Sequence, residues 1–159
     1  MSGIRPWIIA LLAWPAMGLA AGGGGGGGGG DLGKPSDPVI AAVQEATARA
    51  DFAQAAVILR EALAKTPANA DYHNLYAYSL RKGPSPDMDL VFQHYSEALR
   101  LEPQHLGAHE YIGEAYLMVG NVAKAKEHLA RLDRICFFGC TEYYELRKAV
   151  QEHEAKQKR

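Results

Sequence analysis

From residue 36 onward the chain repeats itself, and this repetition restricts the fold more than any other feature. Pro67 and Pro103 lie 36 residues apart. Each closes a similar phrase, Glu61-Ala62-Leu63-Ala64-Lys65-Thr66-Pro67 and Glu97-Ala98-Leu99-Arg100-Leu101-Glu102-Pro103. Ala55, Val91 and Ala125 are spaced by 36 and 34, and Asp51, Asp87 and Asn121 carry the same spacings. Each of these last three precedes an apolar stretch of helical period. Each can accept a hydrogen bond from exposed helix N–H groups, so they mark helix starts in register. The chain therefore divides into tiles 36–69, 70–105 and 106–139, each predicted to hold two helices of about 13 residues. Asp37-Pro38 opens the first tile with a capping side chain and a proline at the first helical position. The middle tile carries two extra residues in its turn, Gly83-Pro84-Ser85-Pro86.

These residues resemble the tetratricopeptide repeat family, whose pattern is Trp-x2-Leu-Gly-x2-Tyr, then Ala-x3-Phe, then Pro. The third tile matches with His109, Ile112, Gly113 and Tyr116, then Ala125 and Leu129. The second offers His73, Tyr76, Ala77 and Leu80, then Val91, Tyr95, Ala98 and Pro103. The first is weaker in its opening helix (Val39, Ala42, Val43, Ala46) and strong in its second (Ala55, Leu59, Ala62, Pro67). The departures are His for Trp twice, and Phe137 where a closing Pro is usual. The resemblance implies an all-α fold, a right-handed α-α superhelix (solenoid) of three helix hairpins plus a C-terminal capping helix. Small residues such as Ala77 and Gly113 let neighbouring helices approach, and large ones such as Tyr95 and Leu129 fill the space between. One tile cannot bury its own apolar face, whereas three stacked tiles bury a continuous core. Residues 141–157 read as the cap. Thr141 is its expected N-cap, Glu142 lies in its first turn, and Tyr143, Leu146 and Val150 share one face.

Upstream of the repeats the chain changes character. Residues 1–21 read as a signal peptide, with Arg5 before the apolar Trp7–Leu12 stretch and small residues at Gly18-Leu19-Ala20. Residues 22–35 read as a Gly-rich flexible linker, nine of whose glycines form one run, Gly22 to Gly30. The domain proper is 36–159. Lys plus Arg is 17 and Asp plus Glu is 18, so the chain has no electrostatic footprint for nucleic acid. No membrane span is expected after signal cleavage. A periplasmic or secreted location follows from the signal reading.

The resemblance implies that the first helix of each tile lines a concave face, which in the family usually binds an extended or helical peptide. One residue round from the core slots, the lining is Asn74, Tyr78, Arg81 and Lys82 from the second tile and Glu110, Glu114, Leu117 and Met118 from the third. The first tile adds Ile40, Gln44 and Thr47. Tyr78 and Arg81 are residue types favoured at binding hot spots. Some family members hold a C-terminal carboxylate in this groove. Here Glu110 and Glu114, one helical turn apart, would repel it, so the expected partner is a protein or peptide segment with Lys or Arg facing the third tile.

Cys136-Phe137-Phe138-Gly139-Cys140 is the sharpest local feature. An oxidising compartment favours a structural disulfide between Cys136 and Cys140. A reactive or partner-linked pair, a metal site and free thiols are the alternatives. Phe137 and Phe138 are expected as hydrophobic plugs under the cap. His73 and His109 fill one repeat slot and His94 and His128 another, which argues for packing rather than metal binding. No nucleophile stands beside a base in a recognisable motif. The expectation is a non-catalytic protein-interaction module, an adaptor or assembly factor without cofactor or metal. The competing class is a thiol-redox or metal-handling protein that uses Cys136 and Cys140.

Overall fold

The computed structural model describes residues 37–158. The signal peptide and the Gly-rich linker read from the sequence lie outside the described residues. Seven helices follow one another: α1 (Pro38–Ala48), α2 (Phe52–Lys65), α3 (Ala70–Lys82), α4 (Met88–Leu101), α5 (Leu106–Met118), α6 (Val122–Ile135) and α7 (Thr141–Gln157). There is no strand among the described residues. The described residues belong to one compact unit, and every cluster of the core lies within it.

Short polar side chains decide where the helices begin. Asp37 Oδ1 accepts from the Val39 and Ile40 N–H groups at 2.8 and 3.3 Å. Asp51, Asp87 and Asn121 accept in the same way at the starts of α2, α4 and α6. Asn69 caps α3, and His105 caps α5 by accepting from the Ala108 N–H through Nδ1. Helix α7 departs from expectation. Its N-cap is Cys140, no side chain caps it, and Thr141 is already its first helical residue. The disulfide partner of Cys136 thus sits where a capping oxygen would otherwise be.

The α1–α2 and α5–α6 turns share one geometry. In each, the chain leaves the helix through a residue of positive φ, Ala50 at 57° and Gly120 at 76°, just before the next N-cap. Glycine accepts that conformation freely, whereas alanine crowds its Cβ against the carbonyl. Ala50→Gly should therefore raise stability by about 0.5–1 kcal/mol. Equilibrium urea denaturation checks this, and a destabilised variant would show that Ala50 is not strained.

Each helix packs on its chain neighbours, and α1, α3, α5 and α7 also touch in succession. This arrangement is consistent with an α-solenoid. The core forms three clusters along the array. The first gathers Val43, Ala46, Ala55, Leu59 and Tyr72, and the second Ala77, Val91, Tyr95, Ile112 and Ala115. The third gathers Leu117, Ala125, Leu132, Leu146 and Val150. Gly113 explains how α7 joins. A Cβ at this position would lie 2.6 Å from a Leu146 methyl carbon, so the missing side chain lets α7 press against α5. That contact places α7 beside α5, opposite α3, and so builds one edge of the face described next.

Candidate functional site: the face shared by α3, α5 and α7

Arg81 organises this face. It projects from the last turn of α3 and is only 6% exposed. Its Nη2 donates to Glu114 Oε2 at 2.7 Å, and its Nε donates to the Tyr95 hydroxyl at 3.2 Å. The rings of Tyr78 and Tyr111 stand 4.8 Å apart, with the guanidinium carbon 5.6 and 5.8 Å from their centroids. Burial pulls the guanidinium pKa down, but Tyr95 and Glu114 more than offset it, so the charge is retained. Burial pushes the Tyr111 hydroxyl up to about 12, with nearby Glu110 adding to the effect.

Several expected lining residues are therefore not free surface. Arg81 is consumed by intramolecular partners. Asn74 is 4% exposed, with its amide nitrogen 3.2 Å from where a Gly107 Cβ would stand. Its Oδ1 finds no hydrogen-bond partner among the described residues. Leu117 belongs to the third core cluster. Asn74 and Arg81 are covered because α3 lies close to α4 and α5, and Leu117 because α6 and α7 close over that end of α5. Tyr78, Glu110 and Glu114 are half-buried, and Lys82 and Met118 are exposed. The Lys82 ammonium lies 5.6 Å from the Tyr78 ring centroid. In α1, Ile40 packs against the first core cluster, while the Thr47 hydroxyl bonds the Gln44 carbonyl. None of the three lines the recess below.

Glu110 and Glu114 do not form two standing negative charges. Glu114 is engaged by Arg81. Burial, then repulsion from Glu114, Glu142 and Glu145, pushes the Glu110 carboxyl up to about 8. At neutral pH Glu110 is therefore mostly protonated. An incoming cation would favour its ionised form.

Beside this cluster lies a recess of about 250 Å³ lined by Arg81, Glu114, Leu117, Met118, Ala149, Glu152, His153 and Lys156. The contribution of α7 was missed by reading only tile-opening helices, although Ala149, His153 and Lys156 share one face by their spacing. Tyr111 was missed because its slot was assigned to neither core nor lining. A larger cavity, about 570 Å³, lies elsewhere among the described residues, between the start of α2 and the Gly83–Ser85 turn. Its charged lining residues are Asp51 and Lys82 alone, and Asp51 already caps α2.

The histidines pair in two matching sets. His73 Nδ1 meets His94 Nδ1 at 2.8 Å, and His109 Nδ1 meets His128 Nδ1 at 2.9 Å. In each set the first histidine also bonds a proline carbonyl through Nε2, Pro67 at 2.9 Å and Pro103 at 3.1 Å. A carbonyl only accepts, so His73 and His109 carry hydrogen on Nε2 and accept on Nδ1. His94 and His128 then donate from Nδ1. Among the described residues, no group of three or more His, Cys, Asp or Glu is placed to hold a metal ion.

Cys136 and Cys140 are joined in a disulfide with Cα atoms 5.6 Å apart. Phe137 and Phe138 are not plugs under the cap: they are 86% and 93% exposed. With only three residues between the bridged cysteines, the turn is too short to fold its rings back beneath α7. No helix among the described residues is long and apolar enough to cross a membrane. No protein-family model matches the chain, and no curated protein matches it in sequence.

Proposed function

We propose that this chain is a non-catalytic protein-interaction module of tetratricopeptide type. It is read as a right-handed superhelix of three helix hairpins with α7 as its cap. It binds a basic partner segment along the face shared by α3, α5 and α7. The single observation behind this reading is Glu110, a carboxyl held half-buried beside Tyr78, Tyr111 and three further glutamates. Arg81 offsets it only in part, because its hydrogen bonds go to Glu114 and Tyr95. A Lys or Arg side chain from a partner fits that deficit, and Met118, 54% exposed two turns further along α5, offers apolar contact. We also read the domain as exported to the periplasm or secreted. The signal-like sequence of residues 1–21 supports this, as does a disulfide that an oxidising compartment preserves.

The test is the pH dependence of peptide binding. A labelled Lys- and Arg-rich peptide should bind several-fold more tightly at pH 8.5 than at pH 6.5, because binding ionises Glu110 and releases its proton. Glu110→Gln should weaken binding and flatten that dependence, and Tyr78→Ala should weaken binding without flattening it. Equal affinity for an acidic peptide of the same length would refute the reading.

A further inference from the structure

We propose that the Phe137–Phe138 turn is a membrane-touching tip that inserts its two rings into the surface of a lipid bilayer. The inference does not rest on the groove reading above. It begins from two large apolar side chains left almost wholly in water, 86% and 93% exposed, in a domain that buries its other phenylalanines at least in part. The rings sit edge to face, 5.0 Å apart, and so form a single knob.

The turn is built to hold that knob away from the body. The Cys136–Cys140 disulfide closes its base, and the Gly139 N–H donates to the Cys136 carbonyl at 2.7 Å. Gly139 has φ of 83°, and a Cβ there would lie 2.6 Å from the Tyr144 hydroxyl oxygen. Only glycine satisfies both the backbone and this close approach. Tyr144 thus braces the turn from α7 and is itself half exposed, with the Arg147 guanidinium 5.0 Å from its ring centroid. A phenyl tip above a tyrosine and an arginine matches the layering of a water–lipid boundary, where amphipathic rings and cations sit at headgroup level. A pre-ordered turn also loses little freedom on insertion.

The size and shape of the knob select the bilayer over another protein surface. Two phenylalanines present about 300–500 Å² in all. A stable interface, including one with a second copy of this chain, needs about 800 Å² per partner. A convex tip also needs a matching pocket in a protein, whereas fluid lipid accommodates it without one. Insertion stops at the rings, because the backbone N–H and C=O groups of the turn would lose water without gaining partners. Between residues 131 and 148, Arg131, Arg134, Arg147 and Lys148 face Asp133, Glu142 and Glu145 in number. The charge is nearly balanced, so binding is driven by the rings rather than by anionic lipid.

The experiment uses residues 31–159, the compact unit that holds its own core. The two tryptophans of the chain, Trp7 and Trp14, fall outside it. Phe138→Trp therefore carries a single indole at the tip. Its emission should shift to the blue when vesicles of phosphatidylcholine are added, and equally when a minority of phosphatidylglycerol is included. Emission that stays at its aqueous position with both vesicles overturns the proposal. Emission already blue-shifted before vesicles are added, in a protein that sediments as a dimer, overturns it in favour of a second copy. The Phe137→Ser/Phe138→Ser double variant keeps its fold, since both rings are exposed. It should co-sediment with vesicles at least about tenfold less than the parent. Undiminished co-sedimentation, or binding of the parent only when phosphatidylglycerol is present, also overturns it.

Discussion

Arg81→Ala should destabilise the domain by about 3 kcal/mol, near the lower end of the range for breaking a buried ion pair. The guanidinium is nearly fully buried and holds two partners on two other helices, Tyr95 on α4 and Glu114 on α5. Removing it leaves a buried phenol without its partner, a half-buried carboxylate without its cation, and a void beside the Tyr78 and Tyr111 rings. Glu114 keeps partial contact with water, its side chain being 28% exposed, which moderates the loss. Arg81→Lys should recover little, because an ammonium lacks the planar fork that serves both partners at once. Glu114→Gln should cost less than either, since the amide oxygen can still accept from Arg81. Urea denaturation of the three variants orders them. A loss below about 1 kcal/mol for Arg81→Ala would place the residue among ordinary surface ion pairs instead. The result also governs how binding is tested. Arg81 cannot serve as a groove probe, because its removal acts on the fold first, whereas Tyr78 and Glu110 can.

Acidification should weaken the fold through the two histidine pairs. Burial, then repulsion from His109, pulls the His128 pKa down to about 4. Burial also lowers His94 and His109, helped respectively by His73 and by Arg131 and His105. Around the first pair stand Tyr76 and Glu97, and around the second Tyr116, Glu127, Lys124 and Arg131. Three of the four ring nitrogens in each pair are already engaged, so an added proton goes to Nε2 of His94 or His128 and charges a half-buried ring. A histidine with a depressed folded pKa stabilises fully above its unfolded value near 6.5. That contribution is lost as pH falls towards the folded value. For His128, discounted for its partial exposure, it amounts to about 1 kcal/mol between pH 6.5 and 4.5.

Glu110 runs the opposite way. Its folded pKa is raised to about 8, so its contribution is complete below about 4.5 and is lost as pH rises. The two trends offset each other in the parent protein, and only a difference measurement separates them. His128→Asn keeps an N–H donor for His109 Nδ1 but cannot take a proton. Between pH 6.5 and 4.5 the parent should lose about 1 kcal/mol more than this variant, read by urea denaturation at both pH values. Parallel losses in the two proteins would mean that the pair does not resist protonation. Asp37 and Asp71, lowered chiefly by Tyr72 and His105, act below this window.

The helical array was legible because its signals are local. Asp51, Asp87 and Asn121 begin helices wherever a short acceptor meets free N–H groups, and no distant contact is needed. Thr141 was misread for the same reason: as a residue type it outranks Cys140 as a cap, but the covalent bridge at Cys140 sets where α7 enters. The site was only half legible. Spacing assigns Asn74, Arg81 and Leu117 to a helix face, but burial depends on how near α4, α5 and α7 come. Periodicity along one helix carries no such distance.

The sequence by itself determined seven helices, the caps that start α1, α2, α4 and α6, the bridged cysteines as the most favoured pairing, and the recurrence of His73 with His109 and His94 with His128. These follow from capping chemistry, helical period and repetition within one chain. Tertiary structure alone decided that Arg81 is spent within the fold, that Glu110 stays mostly neutral, and that Phe137 and Phe138 stand in water. Each of these depends on what fills the few ångströms around a side chain. That space is set by packing between helices distant in sequence, as where Gly113 admits Leu146 and brings α7 against α5.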